Sequence, residues 1–89
     1  MSIYVVRACR AKKGKGAEVQ QLLKKAAEGH AGIFVYQSMG DEHDFGVFAE
    51  FSSEDAGRKY AASKEQADVT TKLSSIVEDA TGITVWKQV

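Results

Sequence analysis

With 89 residues, 44% of them hydrophobic and 27% charged, the chain reads as one compact domain spanning residues 1–89, without low-complexity segments or an internal linker. Twelve basic and twelve acidic residues cancel, so no overall field draws it to nucleic acid or to an anionic membrane, and neither is an expected partner. One cysteine excludes an intrachain disulfide, no apolar run approaches a membrane span, and the start of the chain has no leucine-rich export signal, so the expected location is the cytoplasm.

Apolar residues over 3–11 predict a first of four strands, most of which carry apolar side chains at both odd and even positions. Residues 15–28 follow as a helix: Val19, Leu22, Leu23, Ala26 and Ala27 recur at helical spacing and leave Glu18, Gln20, Gln21, Lys24 and Lys25 on the opposite face. Gly29 supplies the left-handed stop. Residues 33–39 and 45–51 predict two strands joined by Gly40-Asp41-Glu42-His43-Asp44, a polar hairpin loop. Ser52-Ser53-Glu54-Asp55 opens a second helix with a hydroxyl cap and acids that complement the helix dipole. That helix runs to about residue 62. Residues 64–80 predict a third helix with Val69, Leu73, Ile76, Val77 and Ala80 on one stripe, Gly57 and Ser63 being weak points upstream. Gly82 ends it, and residues 83–89 form a last strand, expected at the sheet centre or across a dimer.

The order is that of a split βαβ sheet of α+β class. Right-handed crossovers place both helical regions on one face, while the strands are apolar on two. A second copy of the chain is the expected cover for the other face, and it also supplies the burial that a domain this short lacks.

Several polar clusters qualify as candidate sites. Arg10, Lys12, Lys13 and Lys15 make a basic turn before the first helix, read mainly as solvated loop. The acidic hairpin tip with His43 has no His-x-His or cysteine partner, so no metal is expected there. Cys9 is expected to be a buried, inert thiol.

Ala11-Lys12-Lys13-Gly14-Lys15 leading into an amphipathic helix resembles the Val-Lys-Pro-Gly-Lys opening of antibiotic-biosynthesis-monooxygenase domains. Gly32-Ile33-Phe34-Val35-Tyr36-Gln37-Ser38 is similar to that family's second strand, residues 45–56 to its third strand and helix entry, and Ala61-Ala62-Ser63 to its Leu-Ala-Ser before a break. The resemblance implies a ferredoxin-like βαββαβ sheet with helices on one face, dimerising sheet to sheet into an α/β barrel. It also implies a ligand site between sheet and helices. The family includes cofactor-free oxygenases of polycyclic phenols and quinols, haem-degrading enzymes and isomerases, and fold does not choose among them.

The departures are as informative. Lys64-Glu65-Gln66 stands where the family often has Pro-His-Phe, and Ala49-Glu50-Phe51 where it often has Glu-x-Trp. The positions matching the asparagine, tryptophan and histidine of haem-degrading relatives are Arg7, Tyr60 and about Thr70, so an axial histidine is missing. Neither His30 nor His43 is expected to replace it.

Arg7 shares a strand face with Ile3, Val5 and Cys9 and would point either between sheet and helices or into the barrel, and a buried arginine needs an anionic partner. Glu50 is the candidate partner within the chain, as an internal ion pair or as half of a ligand-binding pair. Tyr60 replaces an aromatic residue that lines the pocket in relatives, and either hydrogen-bonds a phenol or quinone oxygen or packs in the core. Tyr36 and Trp86 each offer an aromatic wall, to a pocket or to a dimer contact. Arg7 and Tyr60 are therefore the expected catalytic residues, with Glu50, Tyr36 and Trp86 as substrate-binding residues.

The resulting functional expectation is a small monooxygenase-like homodimer that acts without cofactor on an aromatic, phenolic or quinone-like metabolite. The alternative is a non-catalytic dimeric ligand-binding or stress-response module of the same fold, and haem degradation stands third.

Overall fold

A nine-residue strand, β1 (Ile3–Ala11), organises the structure, a computed structural model that describes residues 2–89. The chain continues through α1 (Gly16–Ala27), β2 (Ile33–Gln37), β3 (Asp44–Phe51), α2 (Glu54–Ala61), α3 (Lys64–Leu73), β4 (Val77–Ala80) and β5 (Thr84–Lys87). On one side β1 pairs antiparallel with β3, from Ile3 opposite Phe51 to Arg10 opposite Asp44. β2 joins the outer edge of β3, with Ile33 opposite Ala49 and Gln37 opposite Phe45. β1 and β2 thus run parallel with β3 between them, the split βαβ arrangement expected of the sequence.

The other edge of β1 is shared. β5 pairs with Ile3 to Val6, and β4 pairs with Cys9 to Ala11, so two short strands lie end to end along one long one. The final strand therefore lies at an edge of its own sheet. β4 corrects the expectation of a helix to residue 80: the helix stops at Leu73, and Val77 and Ala80 are strand residues.

Side-chain parity assigns the two faces of the sheet. Along β1 the odd residues Ile3, Val5, Arg7, Cys9 and Ala11 are buried, and the even residues are only partly covered. The helices lie over the odd side, where Val19 and Leu23 of α1 and Val69 and Leu73 of α3 pack with Cys9, Ala11 and Phe45 into one core. The Cys9 thiol is buried there, as expected, and burial pushes its pKa up, opposed by Arg7.

Serine caps set the corner between α2 and α3. Ser53 Oγ accepts from the Ala56 N–H, and Ser63 Oγ accepts from the Gln66 N–H at 3.3 Å. Ser63 Oγ also donates to the Tyr60 carbonyl at 2.7 Å, tying the end of one helix to the start of the next. Gly57 is not a weak point. It is buried, and a Cβ there would stand 3.0 Å from Ile3 Cγ2, so glycine lets α2 lie close on β1. No helix among the described residues is long and apolar enough to cross a membrane.

Candidate functional site

Arg7 sits at the middle of β1, on the helix-covered face, only 7% exposed. Its Nη1 donates to Thr70 Oγ1 at 2.9 Å, and its Nη2 donates to the Gln66 carbonyl at 3.3 Å and to Gln66 Oε1 at 3.2 Å. All three acceptors are neutral. Among the described residues no carboxylate pairs with this guanidinium, whereas Arg10 on the opposite face holds three. Burial lowers the Arg7 pKa from its ordinary value, partly offset by Cys9 and Tyr60. An arginine nonetheless remains charged at neutral pH, so the site carries an uncompensated positive charge in an apolar setting.

The chain of polar contacts continues through Gln66, which is 6% exposed. Arg7 presents only donors, so the Gln66 carboxamide must turn its oxygen to Arg7, leaving Nε2 to donate to the Tyr60 hydroxyl at 2.7 Å. Tyr60 is half-buried, and burial together with Glu65 raises its pKa, so it stays a neutral hydroxyl able to donate as well as accept. Arg7, Gln66 and Tyr60 line a small cavity whose other walls include Leu23, Ala26, Ile33, Val47 and Val69. Its volume is about 10 Å³. That is room for roughly one water.

His30, set aside in the sequence as a replacement for an axial histidine, lies beside this region. Its ring meets Tyr60 edge to face at 6.4 Å between centroids, and its Nε2 lies 3.3 Å from Glu65 Oε1. The α1–β2 connection that carries it is flanked by Gly29 and Gly32, both with positive φ. The signal in the sequence was this pair of glycines, which fold the loop back against α2 and α3.

Arg7 and Tyr60 are thus brought to one cavity, whereas Glu50 and Tyr36 line an open groove on the other face with Tyr4 and Phe48, and Trp86 lines a neighbouring one. Glu50 stands opposite Tyr4 in the β1–β3 register, on the uncovered face, where its Oε2 accepts from the Tyr4 hydroxyl at 3.2 Å. The expected Arg7–Glu50 ion pair is therefore absent, because the two side chains leave opposite faces of the sheet. Tyr36 and Trp86 share the uncovered face with Phe34 and Phe48, and all four are at least 41% exposed. Tyr36 meets Phe48 edge to face at 5.5 Å, and the Trp86 indole donates to Thr84 Oγ1 at 2.7 Å. Thr70, at about the position of the axial histidine in haem-degrading relatives, offers a hydroxyl engaged with Arg7 and with the Gln66 carbonyl, so this site does not fit haem iron.

The basic turn and the acidic hairpin tip are likewise rearranged. Arg10 leaves the basic group and ties the tip to β4, pairing with Asp41 at 2.7 Å, Asp44 at 3.0 Å and Glu78 at 2.7 Å. The Asp41 and Asp44 carboxylates of the tip serve this clamp.

An antiparallel sheet of this order, with helices on one face, is the ferredoxin-like fold. The chain belongs to the antibiotic biosynthesis monooxygenase family, whose profile matches residues 2–72. Among solved structures it is similar to a conserved protein of Methanosarcina mazei Go1, at TM-score 0.80 and 21% identity over 99% of this chain and 93% of that one. A protein of Shewanella oneidensis matches at TM-score 0.80 and 17% identity, covering 98% and 90%. A variant of SnoaB, a cofactor-independent oxygenase of Streptomyces nogalater, matches at TM-score 0.76 and 14% identity, covering 98% and 92%. At these identities the likeness speaks for the fold alone. No curated protein matches the chain.

Proposed function

We propose that the protein is a cofactor-independent oxygenase of a small electron-rich phenol or quinol, with Arg7 and Tyr60 as its catalytic residues. The observation that carries this reading is the buried Arg7 guanidinium bonded only to neutral acceptors. Such a cation favours an oxyanion over a neutral ligand, and in a dry pocket that preference is large. A phenol bound there loses its proton more readily. The phenolate passes one electron to dioxygen, and the resulting radical pair collapses to a carbon–oxygen bond. Loss of water from the hydroperoxide leaves a quinone carbonyl: the ring carbon gives up its one hydrogen and gains one oxygen, and the other oxygen leaves as water with that hydrogen and the proton first taken from the phenol. Tyr60, able to donate a hydrogen bond, stabilises the charge as it moves.

Support also comes from the family membership and from the likeness to a structure described as a cofactor-independent oxygenase. Glu50, Tyr36 and Trp86 take a different role in this reading, forming with Phe34 and Phe48 the face that meets a second copy of the chain. A binding module without turnover is the second reading, favoured by Lys64-Glu65-Gln66 standing where the family often has a histidine.

Oxygen uptake against a panel of hydroquinones, catechols and naphthols tests the proposal. The wild type is expected to consume dioxygen with at least one member. Arg7→Gln is expected to lose about 100-fold or more in rate, the scale for removing one oxyanion donor. Equal rates in the two proteins defeat the assignment of Arg7. Ligand binding without oxygen uptake gives the binding module instead.

A further inference from the structure

Gln66 occupies the position that a ligand would need. Its carboxamide lies between the two other polar side chains of the cavity, with its oxygen on Arg7 and its nitrogen on the Tyr60 hydroxyl. We propose that Gln66 is a built-in occupant of the site, displaced by a single-ring ligand with two oxygens on neighbouring carbons, such as a catechol monoanion or an ortho-hydroxyquinone. This rests on the reading of the Arg7 cavity as a ligand site and narrows its substrate class.

Three features of the site support this. First, a guanidinium bonded to a neutral amide oxygen gains when an anionic oxygen replaces it, because the attraction between opposite charges is added to the hydrogen bond and is little screened in a buried site. Second, the displaced side chain returns to water and regains its rotamer freedom, which offsets part of the cost of breaking its contacts. The backbone need not move with it, since the Gln66 N–H stays on Ser63 Oγ and the first turn of α3 keeps its cap. Third, the carboxamide is a template for what replaces it. It is planar, with two polar atoms side by side, one accepting from Arg7 and one meeting a tyrosine hydroxyl that both donates and accepts. Two vicinal ring oxygens, one ionised and one protonated, reproduce that pattern, and one oxygen alone does not.

Size follows from the same geometry. A cavity of about 10 Å³ enlarged by one carboxamide takes an edge of a single ring. A fused polycycle would require α1 and α3 to separate, and Leu23 and Val69 are buried where they pack in the core.

The test is binding under nitrogen, so that it does not depend on turnover, followed by amide chemical shifts in NMR titrations of catechol and phenol. Wild type is expected to prefer catechol by about tenfold, the worth of one good hydrogen bond. Gln66→Ala is expected to bind catechol about tenfold more tightly than wild type, while Gln66→Met, which keeps the bulk, shows no such gain. Thermal melts of both variants establish that they fold, and Gln66→Ser replaces the alanine variant if that one does not. Catechol binding by Gln66→Ala that is no tighter than in wild type, or absent, overturns the proposal. If Arg7→Gln still loses ligand in that case, the site stands and only the role of Gln66 falls. If Arg7→Gln retains ligand and turnover, the site itself is wrong.

Discussion

Two arginines three residues apart show how one side chain's surroundings set its use. Arg7 lies under the helices among neutral acceptors, whereas Arg10 lies on the other face among Asp41, Asp44 and Glu78. The Arg10 clamp predicts a specific titration. Asp41 accepts from the His43 backbone N–H at 2.9 Å and pairs with Arg10, and these contacts hold its carboxyl at about 2. An unfolded aspartate titrates near 3.9, so the folded value is depressed. The stabilisation it gives is complete above roughly pH 4 and is lost as pH falls through about 2. Carbon-detected NMR of the Asp41 carboxyl is expected to give a midpoint near 2, moving up in Arg10→Gln; a wild-type midpoint near 3.9 would mean that the clamp does not form in solution. That Arg7 shares a face with Ile3, Val5 and Cys9 was legible in the sequence from the two-residue repeat of a strand, although which side of the sheet the helices cover was not. The face of Glu50 was not, because β3 is apolar at odd and even positions alike, and only its register against Tyr4 decides.

At the scale of elements, the segment after Leu73 shows where pattern alone fails. Val69, Leu73, Ile76, Val77 and Ala80 fit a helical stripe, yet the chain leaves the helix after Leu73. Side chains prepare the exit: the Thr70, Thr71 and Ser74 hydroxyls donate to the carbonyls of Gln66, Ala67 and Thr71. The decisive term is non-local. Without β4, the backbone of Cys9 to Ala11 would have an unpaired edge, and pairing it satisfies groups that a longer helix would leave open. Gly57 carries the opposite lesson, since a residue that looks like a helix defect is a packing requirement. Glycine to alanine inside a helix ordinarily gains about 0.5–1 kcal/mol. Here the new methyl meets Ile3 Cγ2 at 3.0 Å, with Val5 and Phe51 close behind, and overpacking a fixed core costs about 1–3 kcal/mol. Overpacking wins. Gly57→Ala is expected to lose about 1 kcal/mol in urea unfolding, and a gain in stability would show that α2 can ride away from β1.

For the molecule as a whole, the sheet has one covered face and one that is aromatic and bare. Phe34, Tyr36, Phe48 and Trp86 lie together on the bare side, more large apolar surface than one small domain ordinarily leaves in water. Antiparallel strands that are apolar on both faces implied this from the sequence, although which aromatic residues went to which side was left open. Packing two such faces is the economical solution, provided that each copy buries about 800 Å². Light scattering is then expected to give twice the chain mass for the wild type, and the double variant Phe34→Glu, Trp86→Glu is expected to shift towards the monomer with its far-ultraviolet dichroism unchanged, since neither residue is part of the buried core. A monomeric wild type at tens of micromolar defeats the dimer. Arg7 and Trp86 leave opposite faces of the sheet, so each copy has its own complete cavity. The charge-introducing variant is therefore expected to bind catechol as the wild type does; a loss of binding together with the dimer would mean that the second copy braces the sheet beneath Arg7.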